Sequence, residues 1–189
     1  MRASSAETNV DGSEILLVSS GTVVDAEVAK RIDELGALSG VAQHLRRAVT
    51  SVGELCGDQR IYVYKSDGKI RGLVKVGVKH LYYWRGDGST VEVDPLCVLD
   101  FFVLDQRRGL GKTLFDAMLR RENKEAKQLA YDRPSPKLYP FLRKHYGLEH
   151  FLQQPNNFVI YDDFFFKNDE PPADSRTSAP GGGFTLKRR

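Results

Sequence analysis

Cysteine is scarce: Cys56 and Cys97 are the two in 189 residues. Two thiols make no disulfide framework, and that usage points to a reducing, cytosolic compartment. No apolar run approaches the roughly 18 residues of a membrane span. The opening segment MRASSAETNVDGSE has no apolar core, so no secretory signal is expected. Positive charge exceeds negative by only 3, which gives charge alone no claim on a nucleic-acid partner. His44, His80, His145 and His150 show no metal-ligand spacing, and no metal site is expected. Core material is plentiful: 41% of residues are apolar and 10% aromatic, which suits one domain with mobile ends.

Residues 1–13 are polar and read as a disordered N-terminus. Ile15 to Val24 reads as a first strand with Gly21 weakening its interior. Asp25 is a good N-cap for a helix with an apolar stripe at Val28, Ile32, Leu35, Leu38, Ala42 and Leu45, and Gly36 and Gly40 suggest a break within it. From Ile61 the period changes to that of strands, with Asp67-Gly68 as a hairpin turn between IYVYKS and KIRGLVKVGVKHLYYW. The stretch GDGST is a second turn, and LCVLDFFVL is apolar enough for a strand buried on both faces. A helix carrying Leu114, Met118 and Leu119 follows, then a short strand, QLAYD. Ser135 and Pro136 read as N-cap and first residue of another helix, which Pro140 should kink or shorten. NNFVIYDDFFF closes the core as a last strand or two. The pattern is an α+β fold, a mixed, mostly antiparallel sheet flanked by helices. The folded domain is placed at 14–167 and a Pro/Gly/Ser-rich disordered tail at 168–189.

Between the buried strand and its helix lies Gln106-Arg107-Arg108-Gly109-Leu110-Gly111. Helix N-termini present unpaired N–H groups, and glycines let backbone close around an anion. Three readings compete: a plain strand–helix turn, a nucleotide P-loop ending in Gly111-Lys112-Thr113, and the pyrophosphate loop of an acetyltransferase. The P-loop pattern needs glycine where this chain has Gln106. The turn resembles the Q/R-x-x-G-x-G/A signature of the GCN5-related N-acetyltransferases, in which backbone amides bind the coenzyme A pyrophosphate.

Acetylating a lysine, whose free pKa is about 10.4, requires a general base and a donor near the carbonyl oxygen. Asp94, Cys97, Asp100 and Asp132 are candidates at strand ends. Taken alone, Asp132 reads as a polar strand terminus or a partner of Arg133, Cys97 as a core thiol, and Gln43 as a solvated helix residue. Arg46, Arg47, Lys75, Lys79, Arg120, Arg121 and Lys124 read as mostly solvated faces.

Over residues 25–166 the segments DELGALSGVAQ, KVGVKHLY, DPLCVLDFF, QRRGLGKTLFDAML, QLAYDRPSPKLYPFLRKHYGLE and QPNNFVIYDDFF resemble the α-tubulin N-acetyltransferase family. The resemblance implies a GCN5-related fold that uses acetyl-CoA to acetylate a lysine on the lumenal face of α-tubulin in microtubules. It implies Asp132 and Cys97 as a catalytic pair and Gln43 as a residue needed for activity. It implies a cofactor path along Phe101, Phe102, Val103, Leu104, Asp105, Gln106, Arg107, Arg108, Gly109, Leu110, Gly111 and Lys112. The path continues along Ser135, Pro136, Lys137, Leu138, Tyr139, Phe141, Leu142 and Lys144. Direct transfer in a ternary complex is the expected mechanism, with a covalent acetyl-Cys97 as its rival. The implied setting is a monomer in the cytoplasm, on cytoskeletal microtubules and on those of a cilium or flagellum, with no nucleic-acid or membrane partner. An acetyltransferase for another protein or a small amine, and a non-enzymatic microtubule-binding protein, are the alternatives.

Overall fold

The structure, a computed structural model, describes residues 2–3, 5–8, 12–85, 87–161 and 164. Its first half runs β1 (Arg2–Ala3), β2 (Ser5–Thr8), β3 (Glu14–Ser19), β4 (Thr22–Val23), α1 (Ala26–Ala42), β5 (Arg60–Ser66) and β6 (Lys69–Val78). Then come β7 (Leu81–Trp84), β8 (Thr90–Val93), β9 (Leu96–Val103), α2 (Leu110–Glu122) and β10 (Ala130–Asp132). The chain continues with α3 (Leu138–Tyr146), β11 (Phe151–Gln153) and β12 (Phe158–Tyr161). One sheet has the order β11-β12-β10-β9-β6-β5-β3-β2. It is antiparallel at every step except β9–β10.

The alternation of side chains along β5 explains the layers. Tyr62 and Tyr64 face the core beneath α2 and α3, with Phe115, Met118 and Leu142. Ile61 and Val63 point the other way, into a cluster with Ile32 and Leu35 of α1. On that second face the β7–β8 hairpin covers Cys97, Leu99, Ala130 and Ile160 through Leu81 and Tyr83. Burying a side chain such as Phe115 or Ile32 contributes about 1.5–3 kcal/mol, so each layer has its own apolar glue. Glu122, at the end of α2, accepts from Arg60 Nε at 2.6 Å and from the Tyr62 hydroxyl, which fixes the helix against β5.

The expected hairpin is present: Asp67 and Gly68 take φ of 51° and 71° between β5 and β6. Three helix and strand expectations change. Gly21 lies in a turn, not inside a strand, and its φ of 77° suits that place. α1 is unbroken, capped by Asp25, whose carboxylate accepts from Glu27 N at 2.9 Å and Val28 N at 3.2 Å. Its sheet-facing side includes Gly36, Ser39 and Gly40, while Leu38 and Ala42 are exposed. The glycines serve close approach: a Cβ at Gly36 would stand 2.1 Å from the Thr50 carbonyl oxygen, and one at Gly40 3.3 Å from Ala48 Cα. α3 begins at Leu138, not at Pro136, because Pro140 has no N–H to give to a helix already under way. Starting later puts Pro140 in the first turn, where amides have no helical acceptor, and no kink is needed.

The segment read as disordered, 1–13, includes β2, whose Ser5–Thr8 pairs antiparallel with Glu14–Leu17 as an edge strand. A polar edge strand gives no hydropathic signal of its own, since its ladder partner supplies the order. The 168–189 tail lies outside the described residues.

Crowding at Gly36 gives a first prediction. Overpacking against backbone costs about 1–3 kcal/mol, and each kcal/mol lowers the midpoint by about 2–4 °C in a domain of this size. Gly36→Ala is therefore expected to lower the calorimetric midpoint by several degrees. Gly53→Ala, at a position with nothing within 4 Å of a Cβ, is the control.

Candidate active site

β9 and β10 pair over only Cys97↔Ala130 and Val98↔Tyr131. Beyond Val98 the two parallel strands part, and the edge of β9 from Leu99 to Val103 has no partner on β10. Opposite that edge β9 also carries a bulge: Lys75 pairs with Asp100 and Val76 with Val98, so Leu99 is the extra residue. A bulge bends its strand and re-aims the side chains around it. The resulting cleft is lined by Gln43, Leu99, Asp100, Phe101, Asp132 and Ser135, among others. Two of the expected catalytic residues, Gln43 and Asp132, thus meet at one crevice from distant parts of the sequence.

The glycine turn lies where β9 ends. Arg107 and Gly109 hold φ of 65° and 83°, and among the described residues no side chain caps α2. Thr113 N donates to Gly109 O at 3.1 Å, so the amides before Thr113 at the start of α2 have no helical acceptor. Gly109 is needed for its left-handed backbone. Gly111 is needed for contact, since a Cβ there would stand 3.3 Å from Phe101 Cζ. Together with the helix dipole, the free amides make a cradle for an anion. Arg107 and Arg108 are exposed on the turn. Lys112 is turned along α2 to an ion pair with Asp116 and lies 6.0 Å from the Tyr146 ring centroid. Lys137 Nζ donates to Gln106 Oε1 at 3.2 Å, tying this turn to the start of α3.

Asp132 ends β10 with 15% of its side chain exposed. Arg133 turns the chain with φ of 41° and donates to both Asp132 oxygens, at 2.9 and 3.0 Å. The arginine side chain is 54% exposed and the carboxylate 15%, so the arginine can swing out into water while the carboxylate keeps its place. A competing cation can therefore displace it.

Gln43 caps the far end of α1. Its Nε2 donates to Ser39 Oγ at 2.8 Å and to Asp100 Oδ1 at 3.1 Å. Asp100 is only 5% exposed. It also accepts from Ser39 Oγ at 2.7 Å and from Thr50 Oγ1 at 2.6 Å. Beside it Lys75, read from sequence as a solvated cation, is 4% exposed and donates to Val49 O at 2.9 Å. Burial lowers the Lys75 pKa, and the nearby Asp100 charge works against that fall.

Cys97 is fully buried, its thiol donating to Pro95 O at 3.4 Å. Burial pushes this thiol up to about 12, and the Asp132 carboxylate adds to the rise. Asp94 stands apart, paired with His80 Nδ1 at 2.9 Å beside the hairpin.

The expected cofactor residues divide. Phe101 packs against a tilted Phe141 at 5.3 Å between ring centroids, and both lie where α2 and α3 meet β9. Ser135 and Leu138 line the cleft, while Pro136, Lys137 and Lys144 are exposed around the start and outer face of α3. Phe102 instead packs with the α1 cluster, and Asp105 pairs with Arg71 at 2.8 Å, turning toward β6. Leu104 is 45% exposed, Leu142 is core at 1%, and half-buried Tyr139 stacks on Phe151. Ser39, Thr50 and Lys75 escaped sequence reading, since a serine on a helix and a lysine in a strand look like surface residues until the partner is known.

An open parallel strand pair, a bulged central strand and a glycine turn feeding a helix that no described side chain caps define a protein of the GCN5-related N-acetyltransferase class. A family model described as GNAT acetyltransferase, Mec-17, matches residues 7–183. The chain belongs to that family. It is 42% identical over 144 residues to an α-tubulin N-acetyltransferase of Tetrahymena thermophila, covering 75% of this chain and 36% of the relative. An α-tubulin N-acetyltransferase of Phytophthora infestans is 54% identical over 101 residues, 52% of this chain and 56% of the relative. α-Tubulin N-acetyltransferase 1 of Danio rerio is 43% identical over 148 residues, 74% of this chain and 50% of the relative. The chain thus spans between about a third and somewhat over half of these relatives' lengths. A crystal structure of the aminoglycoside N-acetyltransferase AAC(6')-Iy with CoA superposes with a TM-score of 0.48 at 21% identity. It covers 75% of this chain and 92% of that one, and at that score adds nothing to the family assignment.

Proposed function

We propose that this chain acetylates a lysine of α-tubulin in microtubules, using acetyl-CoA by direct transfer in a ternary complex. The proposal is carried by the meeting of Asp132 and the free edge of β9 at one cleft, with the start of α2, which no side chain caps among the described residues, packed against Phe101 of that edge. The names of the relatives supply the substrate, and the setting follows from it: cytoplasmic microtubules and those of a cilium or axoneme, with the chain acting as a monomer.

The residues fit the cofactor's chemistry. Amides at the start of α2 and the exposed Arg107 and Arg108 suit a diphosphate. The unpaired edge of β9 offers backbone groups to an amide-bearing chain laid beside it, as an added strand would be. When bound, acetyl-CoA supplies the activated thioester acyl group. Asp132 takes the proton from the incoming lysine ammonium, which displaces Arg133 as it enters. A neutral amine is left facing the cleft.

Cys97 takes no covalent part in this mechanism. A thiol titrating at about 12 and sealed in an apolar cluster holds almost no thiolate at neutral pH, and thiolate is the nucleophile. Incubation with acetyl-CoA alone is therefore expected to leave the Cys97 peptide unlabelled by intact-mass and peptide mass spectrometry. A stoichiometric acetyl adduct on it would restore the ping-pong mechanism.

The functional test is mass spectrometry of polymerised microtubules incubated with the chain and acetyl-CoA, beside polyamines as competing acceptors. Acetylation of a tubulin lysine supports the reading. Activity on the small amines alone assigns a different acceptor, and cofactor binding without any transfer assigns a non-enzymatic role.

A further inference from the structure

The mechanism above leaves the most buried carboxylate near the cleft, Asp100, without a task. Its hydrogen bonds have directions that follow from chemistry alone. A carboxylate only accepts, so the Ser39 and Thr50 hydroxyls at 2.7 and 2.6 Å must donate to it. With its proton committed, Ser39 Oγ can only accept from Gln43, at 2.8 Å. The Gln43 group lying 3.1 Å from Asp100 and 2.8 Å from Ser39 therefore faces two acceptors, and it must be the NH2 end of the amide. Flipping the amide would set its oxygen against a carboxylate and a hydroxyl with no free proton, an arrangement without a single hydrogen bond.

We propose that Asp100 is a positioning residue for acetyl transfer: it holds the Gln43 NH2, so that the amide oxygen faces the cleft and accepts a hydrogen bond from the substrate lysine. This rests on the reading of the cleft as the transfer site. Gln43 and Asp132 both line that cleft, so the amine meets an anionic acceptor that takes its proton and a neutral one that keeps hold of it afterwards. Neutrality matters. A second carboxylate in place of Gln43 would favour the charged ammonium and oppose its deprotonation. The cost of burying the Asp100 charge is offset by its three donors and by Lys75, its cross-strand neighbour on β6. The β9 bulge at Leu99 sets the register that brings Asp100 opposite Lys75, and Gly36 admits the segment carrying Thr50.

The test is a double-mutant cycle on steady-state kinetics with a tubulin-lysine acceptor, with acetyl-CoA affinity and melting temperature followed in parallel. Asp100→Asn is expected to lower kcat about tenfold or more, the range for losing a hydrogen bond to a charged group, with acetyl-CoA affinity near wild type. In a Gln43→Ala background the same substitution is expected to cost nothing further, a non-additivity that a purely structural Asp100 would not produce. Should Asp100→Asn fail to fold, Ser39→Ala, which removes the other anchor of the amide, runs the same cycle. Full additivity in either cycle overturns the proposal, as does wild-type kcat in Gln43→Ala. An inactive wild-type chain sinks the functional reading itself, and additive cycles in an active enzyme sink only this inference.

Discussion

Asp132→Asn is expected to lower kcat by about 100-fold or more, the usual span for removing a general base, with acetyl-CoA affinity little changed. Asparagine keeps the size of the side chain and one acceptor oxygen, so the end of β10 and its turn through Arg133 remain. What is lost is the ability to hold a proton. The pH profile carries the sign. A free lysine amine has a pKa of about 10.4 and is almost wholly protonated at pH 7. Without a base the reaction draws only on the neutral fraction, which grows about tenfold per pH unit up to the amine's own pKa. The variant's rate is therefore expected to climb steeply between neutral and alkaline pH, closing much of its gap with wild type. Cys97 adds no limb below that, since its thiol is pushed up to about 12 by burial. Rate assays across pH, with calorimetric titration of acetyl-CoA, check both halves. A variant that loses cofactor affinity instead would make Asp132 a structural residue of the cleft.

Much of this architecture is legible in the amino-acid sequence. Asp67-Gly68 between two β-rich runs specifies a two-residue hairpin, because both positions tolerate positive φ. The run from Leu96 to Val103 is apolar because both faces of β9 are covered over most of its length. The turn at Gln106–Gly111 stands out because its glycines sit between that strand and an amphipathic helix. Where sequence and structure part, burial is carried by residues that hydropathy ignores. α1 presents Gly36, Ser39 and Gly40 to the sheet; two of these are valued for having no side chain and one for its hydroxyl. Lys75 looks like a surface cation and lies in the core because an acid from another strand faces it. Asp100 is visible as a strand carboxylate, but its tie to Gln43 spans 57 positions of sequence and exists only once the sheet has formed. Local chemistry is written locally. A network assembled across the sheet is not.

Gly109→Val is expected to abolish measurable acetyl-CoA binding or weaken it by well over tenfold, while Gly109→Asn keeps most of it. Gly109 stands at φ of 83°, and a Cβ placed there would meet nothing within 4 Å, so space is not the constraint. Backbone is. A β-branched residue in the left-handed region is an outlier costing about 1–3 kcal/mol, and the turn can relieve that strain only by rotating out of it. Rotation re-aims the amides at the start of α2, which no side chain caps among the described residues. Asparagine visits the left-handed region far more readily, so it retains the amide directions while adding a side chain of comparable bulk. The two variants thus separate conformation from size. Calorimetric titration of each with acetyl-CoA, and with a CoA analogue lacking the diphosphate, isolates the anion-binding contribution. If the valine variant binds acetyl-CoA as the wild type does, the start of α2 is not where the diphosphate sits, and the glycine turn serves only to join strand to helix.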